Sequence, residues 1–534
     1  MIFRSPYPDV TVPAVGLPEF LFGELTAEDA ERVAIVDAVT GESHRYGELL
    51  DGIGRVAAAL GARGIGRGDV AALFAPNCTA YPLVFHGILS AGAAASPANS
   101  LYTPADLAHQ LRDSGARILF SAPAGLERAR AAVAEPGVQV SEIVVLGDPA
   151  PGGGPVPESR LADLLATYAP VPRVPVDGDD LAALPYSSGT TGLPKGVQLT
   201  HRNLVANLLQ MQPLLRVHPE SRLLTAVPLF HIYGLTVVMN GALHRRACVV
   251  TMPRFELAGF LAAIGEHHVD HVFIAPPVAL AFAHHPLVDA YDLSSVELVM
   301  SAAAPLDSSL AELVAARLGA TVLQGYGLTE SSPGTHGIPV DRPDLDRGSI
   351  GLPVPNVEAR VVDPGTGADV AVGERGELWC RGPNVMRGYL NNPAATAATV
   401  DDEGWLHTGD LVTVDADGAF HVVDRLKELI KYKGYQVAPA ELESVLLAHE
   451  GVVDAAVVGV RDLDGEEIPK AFVVRSASAP DLDADAVMAF VAAAVAPYKK
   501  VRAVEFVDAI PKSPAGKILR KELRARAAGP VVTA

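Results

Sequence analysis

Between residues 30 and 323, short apolar runs alternate with amphipathic stretches, and this alternation narrows the fold more than any other feature. Val33–Val36, Val70–Phe74, Ile118–Phe120 and Ile143–Leu146 read as strands, and Tyr46–Gly61 reads as a helix. The pattern restarts at Asp180. Leu223–Val227, Cys248–Met252, His271–Ile274 and Val296–Met300 are strand candidates, with helices over Leu257–His267 and Ser308–Leu318. Strands separated by helices pair in parallel. The expectation is therefore an α/β chain whose large N-terminal part holds two βα-layered subdomains. Residues 349–381 and 401–420 carry short β-like pieces joined by Gly/Pro/Asp turns, which predicts a small β-barrel-like subdomain. Beyond Val422 the character changes again. Helices over 441–449 and 486–495, strands over 455–460 and 471–475, and a basic end over 512–526 predict a small α+β domain. The expected domains are residues 1–424 and 425–534.

Composition limits the partners. A chain of 534 residues argues for more than one domain, and 49% hydrophobic content supplies a large core. The net charge of −20 argues against nucleic acid or an anionic membrane surface, so an anionic ligand must be met by local positive charge. Cys78, Cys248 and Cys380 are too few and too scattered for a disulfide framework or a zinc site, and a cytoplasmic location is the simplest setting. No apolar run reaches about 18 residues, so no membrane span is expected.

Five stretches carry candidate chemistry. Leu184 to Gly196 holds the hydroxyls of Ser187, Ser188, Thr190 and Thr191, with Gly189, Gly192, Gly196 and Lys195. An apolar strand end precedes it and a helix start at Thr200–Leu204 follows. Such a loop suits a polyphosphate: N–H groups and hydroxyls donate, glycines admit close approach and the lysine supplies charge. The common phosphate loop, G-x-x-x-x-G-K-[ST], is absent. A flexible linker is the plainer reading, but it does not account for the flanking strand. The second stretch is Gln324-Gly325-Tyr326-Gly327-Leu328-Thr329-Glu330. Its aromatic ring can stack on a flat base, and Thr329 and Glu330 offer oxygens of the kind Mg²⁺ takes beside phosphate. A capped turn is the plainer reading. In the third, Trp405 to Asp410, one carboxylate after a tight turn can accept both hydroxyls of a ribose, although aspartates in turns are common. The fourth, 423–436, holds Arg425, Lys427, Lys431 and Lys433, and the fifth, 511–518, presents Lys517 before a basic helix. Each of these two alone reads equally as a solvated basic face.

In this order and spacing, the five stretches resemble the adenylate-forming enzymes (acyl-CoA synthetases, luciferases and peptide-synthetase adenylation domains) from about residue 20 to 525. Phe230-His231-Ile232-Tyr233-Gly234 and the run from Arg425 to Glu441 are most similar to the 4-coumarate–CoA ligase and firefly-luciferase branch. The resemblance implies two half-reactions. A carboxylate attacks the α-phosphate of ATP, giving acyl-AMP and pyrophosphate; the thiol of CoA then displaces AMP.

The resemblance also implies roles. Ser187, Ser188, Gly189, Thr190, Thr191, Gly192 and Lys195 hold the β- and γ-phosphates. Gln324, Gly325, Tyr326 and Thr329 line the AMP site, Glu330 with Thr329 ligates Mg²⁺, and Asp410 with Arg425 binds the ribose. Lys517 bridges the substrate carboxylate and the α-phosphate. Lys427 is the hinge on which a mobile small domain turns, and Lys431 faces the adenylate after the turn. Lys433, Gly434 and Arg254 meet CoA, Gln436 belongs to the same cofactor-binding set, and His231 gates the thiol. The acyl pocket falls to Tyr233, Val237, Met300, Ala302 and Ala303, with Gly325, Gly327, Pro333 and Gly334. Tyr233 is suited to bond a phenolic hydroxyl; its plainer reading is a core aromatic whose hydroxyl is already satisfied. Many plant 4-coumarate ligases have a basic residue where Met300 stands and a glycine at Ala302, which narrows the pocket here. The expected activity is ligation of a cinnamate to CoA. Medium-chain fatty or other aryl acids are the alternative; luciferase-like oxygenation and loading of a carrier-protein thiol rank behind them. Partners are a small carboxylic acid, ATP and CoA, with the chain a monomer or homodimer. His284-His285 with Asp289 and Ala290 approaches the His-His-x-x-x-Asp-Gly pattern of CoA-dependent acyltransferases, but it lacks the glycine and reads as a helix end.

Overall fold

The computed structural model describes residues 1–149, 151–166, 174–187, 194–225, 227–433, 435–462, 466–513 and 516–527. The chain gathers into two compact units. One comprises Phe3–Glu358 and Cys380–Leu406; the other comprises Met1–Ile2, Ala359–Trp379 and the chain from His407 onward.

The larger unit is built on two nine-stranded sheets among the described residues. In the first, Ala94–Ala98, Val70–Phe74, Ile118–Ser121, Glu142–Val145 and Glu158–Arg160 lie side by side in parallel. Every residue of Val70–Phe74 is buried, as a parallel strand covered on both faces requires. Leu181–Ala183, Lys195–Thr200 and Tyr186–Ser187 complete the edge next to Ala94–Ala98. In the second sheet, Val33–Asp37, Cys248–Thr251, Arg222–Thr225, His271–Ile274, Leu298–Ser301 and Thr321–Gly327 run in parallel. Gly334–Gly337 then returns antiparallel. The strands read from the alternation are present with ends shifted by one or two residues. Val33–Asp37, however, joins the second sheet and not that of its sequence neighbours.

Largely in the smaller unit, Glu358–Val362, Gly376–Arg381, Leu406–Val414 and Phe420–Arg425 are neighbours in that order. Next come the hairpin Ile430–Tyr432/Tyr435–Val437 and a three-stranded sheet of Val452–Arg461, Glu467–Arg475 and Ala503–Phe506. Leu442 and Leu446 of helix Pro439–Leu447, and Val487 and Val491 of helix Ala484–Ala494, pack with Val457 and Val473 of that sheet. The first of these helices starts earlier than expected because Pro439 takes its first turn, where the missing N–H costs nothing. Among the described residues, no helix is long and apolar enough to cross a membrane.

Four histidines are held neutral by burial in the larger unit. His86 and His336 are pushed down to about 3, and His201 and His244 to about 4, from an ordinary value of 6.5. The Leu17 N–H donates to His201 Nδ1 at 3.0 Å, a bond that only the deprotonated nitrogen accepts. The unfolded chain therefore binds more protons than the fold between these values. Stability is fully present above 6.5 and is lost as pH falls toward 3–4. Asp424 has the opposite sign: burial raises its carboxyl to about 6, so its neutral form is favoured in the fold and stability falls as pH rises toward 6. One carboxyl against four imidazoles leaves the histidines in control. Thermal unfolding followed by circular dichroism is expected to show a steep fall in Tm from pH 7 to 4, with a shallower slope in His336→Gln.

Candidate active site

The two described ends of the candidate phosphate loop pair antiparallel. Tyr186 pairs with Gly196 and Ser187 with Lys195. Ser188, Gly189, Thr190, Thr191 and Gly192 lie outside the described residues. Both stems are braced. Tyr186 Oη donates to Asp113 at 2.7 Å, and His109 Nε2 lies 3.3 Å from the Pro194 carbonyl oxygen. Lys195 Nζ sits 4.3 Å above the ring of Tyr389, whose hydroxyl donates to Glu330 Oε1 at 2.8 Å. Burial and the Glu330 charge raise the Tyr389 phenol, so it stays a donor. One tyrosine thus joins the lysine of the phosphate loop to the carboxylate of the second motif.

That second motif ends the strand Thr321–Gly327 and turns at Thr329–Ser331. Gly327 lies against the returning strand so closely that a Cβ would stand 1.9 Å from the Pro333 carbonyl oxygen, so only glycine fits. Glu330 is 7% exposed, and its carboxylate is met by a neutral hydroxyl, not by a cation, among the described residues. A buried carboxylate next in sequence to a threonine hydroxyl fits Mg²⁺, which takes one or two protein oxygens and fills its shell with phosphate and water. Tyr326 is half-buried, its ring set edge-on to His336 at 6.1 Å. Gln324 is tied to backbone on every side. Its amide donates to the carbonyls of Leu306, Arg347 and Ser349 and accepts from Leu306 N. With all its side-chain polar atoms engaged and 1% exposure, it braces the neighbouring loops.

The acyl-pocket positions converge on two strand ends and one helix. Segment Tyr233–Asn240 winds wider than an α-helix, a form common at functional sites. Gly234 permits its entry, since a Cβ there would lie 2.4 Å from Pro228 O. Tyr233 Oη donates to Met300 O at 3.0 Å, and burial raises its phenol well above the ordinary value. The plainer reading of Tyr233 therefore describes its donor: the proton is already placed, and the oxygen retains acceptor capacity. Gly325 faces Met300, with 3.6 Å between a built Cβ and Met300 Sδ. Ala302 is half-buried, and Ala303 has a left-handed φ of 74°, a strain typical of site loops. Val237 is buried, and Gly334 pairs with Gly327 across the hairpin that also holds Pro333. His231 Nδ1 accepts from Tyr233 N at 3.3 Å at the mouth of the same helix. Arg254 is exposed just after the strand Cys248–Thr251.

The smaller unit carries the remaining candidates. Asp410 is 3% exposed and pairs with Arg425 Nε at 3.0 Å across two strands. Gly409, at φ 71°, makes the turn before it, tied by its N–H to Glu377 at 2.9 Å. On the hairpin, Ile430 and Val437 point into the core while Lys431, Lys433 and Gln436 are exposed, with Lys431 opposite Gln436. Lys427 is exposed in the preceding turn, and Gly434 lies outside the described residues. Lys517 closes a turn in which Ser513 N donates to Lys517 O at 2.8 Å. The acyltransferase-like pattern is a helix end, as read: helix Pro276–His284 stops there, and Asp289 pairs with Arg317 at 2.7 Å.

The AMP-binding enzyme profile matches residues 24–390, and the AMP-binding enzyme C-terminal domain profile matches residues 441–517. The chain belongs to the AMP-binding enzyme family. This AMP-binding enzyme is 40% identical over 537 residues to 4-coumarate–CoA ligase 3 of Oryza sativa subsp. japonica, covering 99% of this chain and 95% of the relative. It is 41% identical over 537 residues to 4-coumarate–CoA ligase 1 of Petroselinum crispum, covering 99% and 97%. Among solved structures it is similar to ATP-bound MatB from Rhodopseudomonas palustris (TM-score 0.85, 31% identity, 96% of this chain and 99% of that one). A benzoate CoA ligase from Burkholderia xenovorans LB400 superposes with TM-score 0.85 at 29% identity, over 95% and 99%.

Two sets of residues in this AMP-binding enzyme escaped the sequence reading. Asn203, Asn207 and Gln210 form a polar stripe on helix His201–Leu215. Asn203 donates to Pro383 and Val385 carbonyls, Asn207 to Gly334 O, and Gln210 to Pro355 O. They hold the Gly334 hairpin and its neighbours, and their i, i+4, i+7 spacing was a readable signal. Tyr389 gave no such signal, because its partners Lys195 and Glu330 are remote in sequence.

Proposed function

We propose that this chain is an ATP-dependent carboxylate–CoA ligase whose preferred acids are 4-coumarate and related cinnamates. The observation that carries the reading is 40–41% identity to plant 4-coumarate–CoA ligases over 99% of the chain. In the first half-reaction the acid's carboxylate oxygen attacks the α-phosphorus of ATP, and the bond to the β-phosphate breaks. Lys195 and the loop hydroxyls hold the departing pyrophosphate, Gly325 and Tyr326 line the adenosine site, and Asp410 with Arg425 binds the ribose. Lys517 meets the negative charge that gathers on the carboxylate and α-phosphate oxygens. Bound at Glu330 and Thr329, Mg²⁺ supplies charge neutralisation on the phosphates. In the second half-reaction the CoA sulfur attacks the acyl carbon and AMP leaves. His231 gates the thiol, while Lys433, Gly434, Gln436 and Arg254 hold CoA.

Tyr233 supports a phenolic acid. Its proton is committed to Met300 O, so its oxygen is free to accept from a para-hydroxyl. The benzoate CoA ligase likeness favours an aryl acid as the second reading. The test is a panel of cinnamic, benzoic and fatty acids scored by thioester formation with ATP and CoA. The greatest kcat/KM is expected for 4-coumarate; a benzoate or fatty acid leading the panel rejects the assignment.

We place the hinge between residues 1–424 and 425–534 at Lys427, with Lys431 serving after the turn. Lys427→Pro is expected to keep one half-reaction near its normal rate and slow the other about 10²-fold through misplacement of reacting groups. Normal rates for both would reject the hinge.

A further inference from the structure

We infer that the acyl pocket continues past Val237 and Met211 into a second chamber, which accepts acids with an apolar body longer than a cinnamate and an anionic far end. The inference rests on the acyl-pocket reading above. A cavity of about 120 Å³ lies between helix His201–Leu215 and the wide helix Tyr233–Asn240. Leu208, Met211 and Leu215 line one side, Thr236 and Val237 the other.

Two features join it to the acyl site. Val237 belongs to both. Met211 packs on Gly334, where a Cβ would meet its sulfur at 2.4 Å, and Asn207, also in the cavity wall, donates to Gly334 O at 2.7 Å and accepts from Gly334 N at 3.1 Å. The Met211 and Val237 side chains thus stand between the cavity and the acyl positions, and side chains change rotamer on a short timescale. A chamber of this size suits a benzene-sized or short alkyl group.

Its chemistry changes along its length. The inner part is apolar apart from Asn207, whose amide is engaged with Gly334, and Thr236, whose Oγ1 is buried in a residue 1% exposed and has no hydrogen-bond partner among the described residues. Such an atom is costly unless a ligand or water meets it. At the outer end, Gln212 Nε2 and His244 Nε2 lie 2.6 Å apart, and the exposed Arg216 and Arg245 flank the mouth. Arg245 is fixed there by donating to Val217 O at 3.0 Å. In a chain of net charge −20, two guanidiniums at the mouth of an apolar chamber suit a tail ending in a carboxylate.

The full-length enzyme, with ATP, Mg²⁺ and CoA, is assayed for kcat/KM on straight-chain acids from hexanoic to dodecanoic, on their ω-carboxy analogues, and on 4-coumarate. In the wild type, kcat/KM is expected to rise about fourfold per added methylene until the chamber is full. Leu215→Trp fills the chamber. It is expected to lower kcat/KM for the longer acids about tenfold or more, with 4-coumarate held within about twofold. Leu215→Phe is a milder version of the same change, and thermal unfolding with the 4-coumarate rate reports on folding. Arg216→Gln/Arg245→Gln is expected to penalise the ω-carboxy acids and spare the monoacids. Equal losses on long acids and 4-coumarate in Leu215→Trp, or wild-type turnover that stops at cinnamate length, overturns the chamber. Turnover of long acids without 4-coumarate rejects the cinnamate preference and leaves the chamber standing. No thioester from any acid overturns both.

Discussion

Lys517→Ala is expected to slow acyl-adenylate formation by about 10²–10³-fold, the usual cost of losing one charge-stabilising group at a developing oxyanion. A unit charge about 4 Å away is worth roughly 4 kcal/mol at an effective dielectric of about 20, which is close to three decades of rate. The local structure holds the lysine's backbone. Its turn is closed twice, by Ser513 N donating to Lys517 O at 2.8 Å and by Lys517 N donating to Ser513 Oγ at 3.2 Å. Gly516, at φ 80°, lets the chain bend between them. The comparison to make is ATP–pyrophosphate exchange against CoA thioester formation from synthetic acyl-AMP. The first should collapse and the second should keep most of its rate. Equal losses in the two assays would remove Lys517 from this role.

On the proposed assignment of Mg²⁺ to Glu330, Glu330→Gln is expected to lower adenylation about 10²-fold, because a metal's charge stabilisation is worth several kcal/mol and needs an anionic ligand. Tyr389→Phe separates holding the carboxylate from carrying it. The ring remains beneath Lys195, but the hydroxyl that donates to Glu330 is lost. Partners of metal ligands typically contribute 10–100-fold to metal affinity or activity, so the Mg²⁺ concentration for half-maximal rate should rise by about that factor. At saturating Mg²⁺ the Tyr389→Phe rate should approach that of the wild type. An unchanged Mg²⁺ requirement accompanied by a lower Tm would assign Tyr389 to stability alone.

Much of the fold could be read because apolar periodicity and helix signals are local. Helix Tyr46–Ala62 and strands Val70–Phe74 and His271–Ile274 lie where the pattern predicts them. The candidate motifs stood out for a related reason. Loops that approach phosphate or turn tightly need glycines and hydroxyls in runs, and Gly327 shows the constraint directly, since no side chain clears the Pro333 carbonyl. Gln324 shows the limit of this reasoning. It sits inside the candidate AMP-site motif, and its amide is satisfied by the backbones of Leu306, Arg347 and Ser349, loops whose proximity no local pattern announces.

The sequence by itself determined the α/β class, the family and the order of the chemical motifs, because each is written in residues adjacent or regularly spaced along the chain. Only the tertiary structure decided which sheet takes Val33–Asp37, where the Tyr233 proton goes, and that Tyr389 stands between Lys195 and Glu330. The physical reason is the same in each case. These outcomes depend on contacts between groups far apart in sequence, chosen by burial and by the need of buried polar atoms for partners, and neither is encoded in spacing.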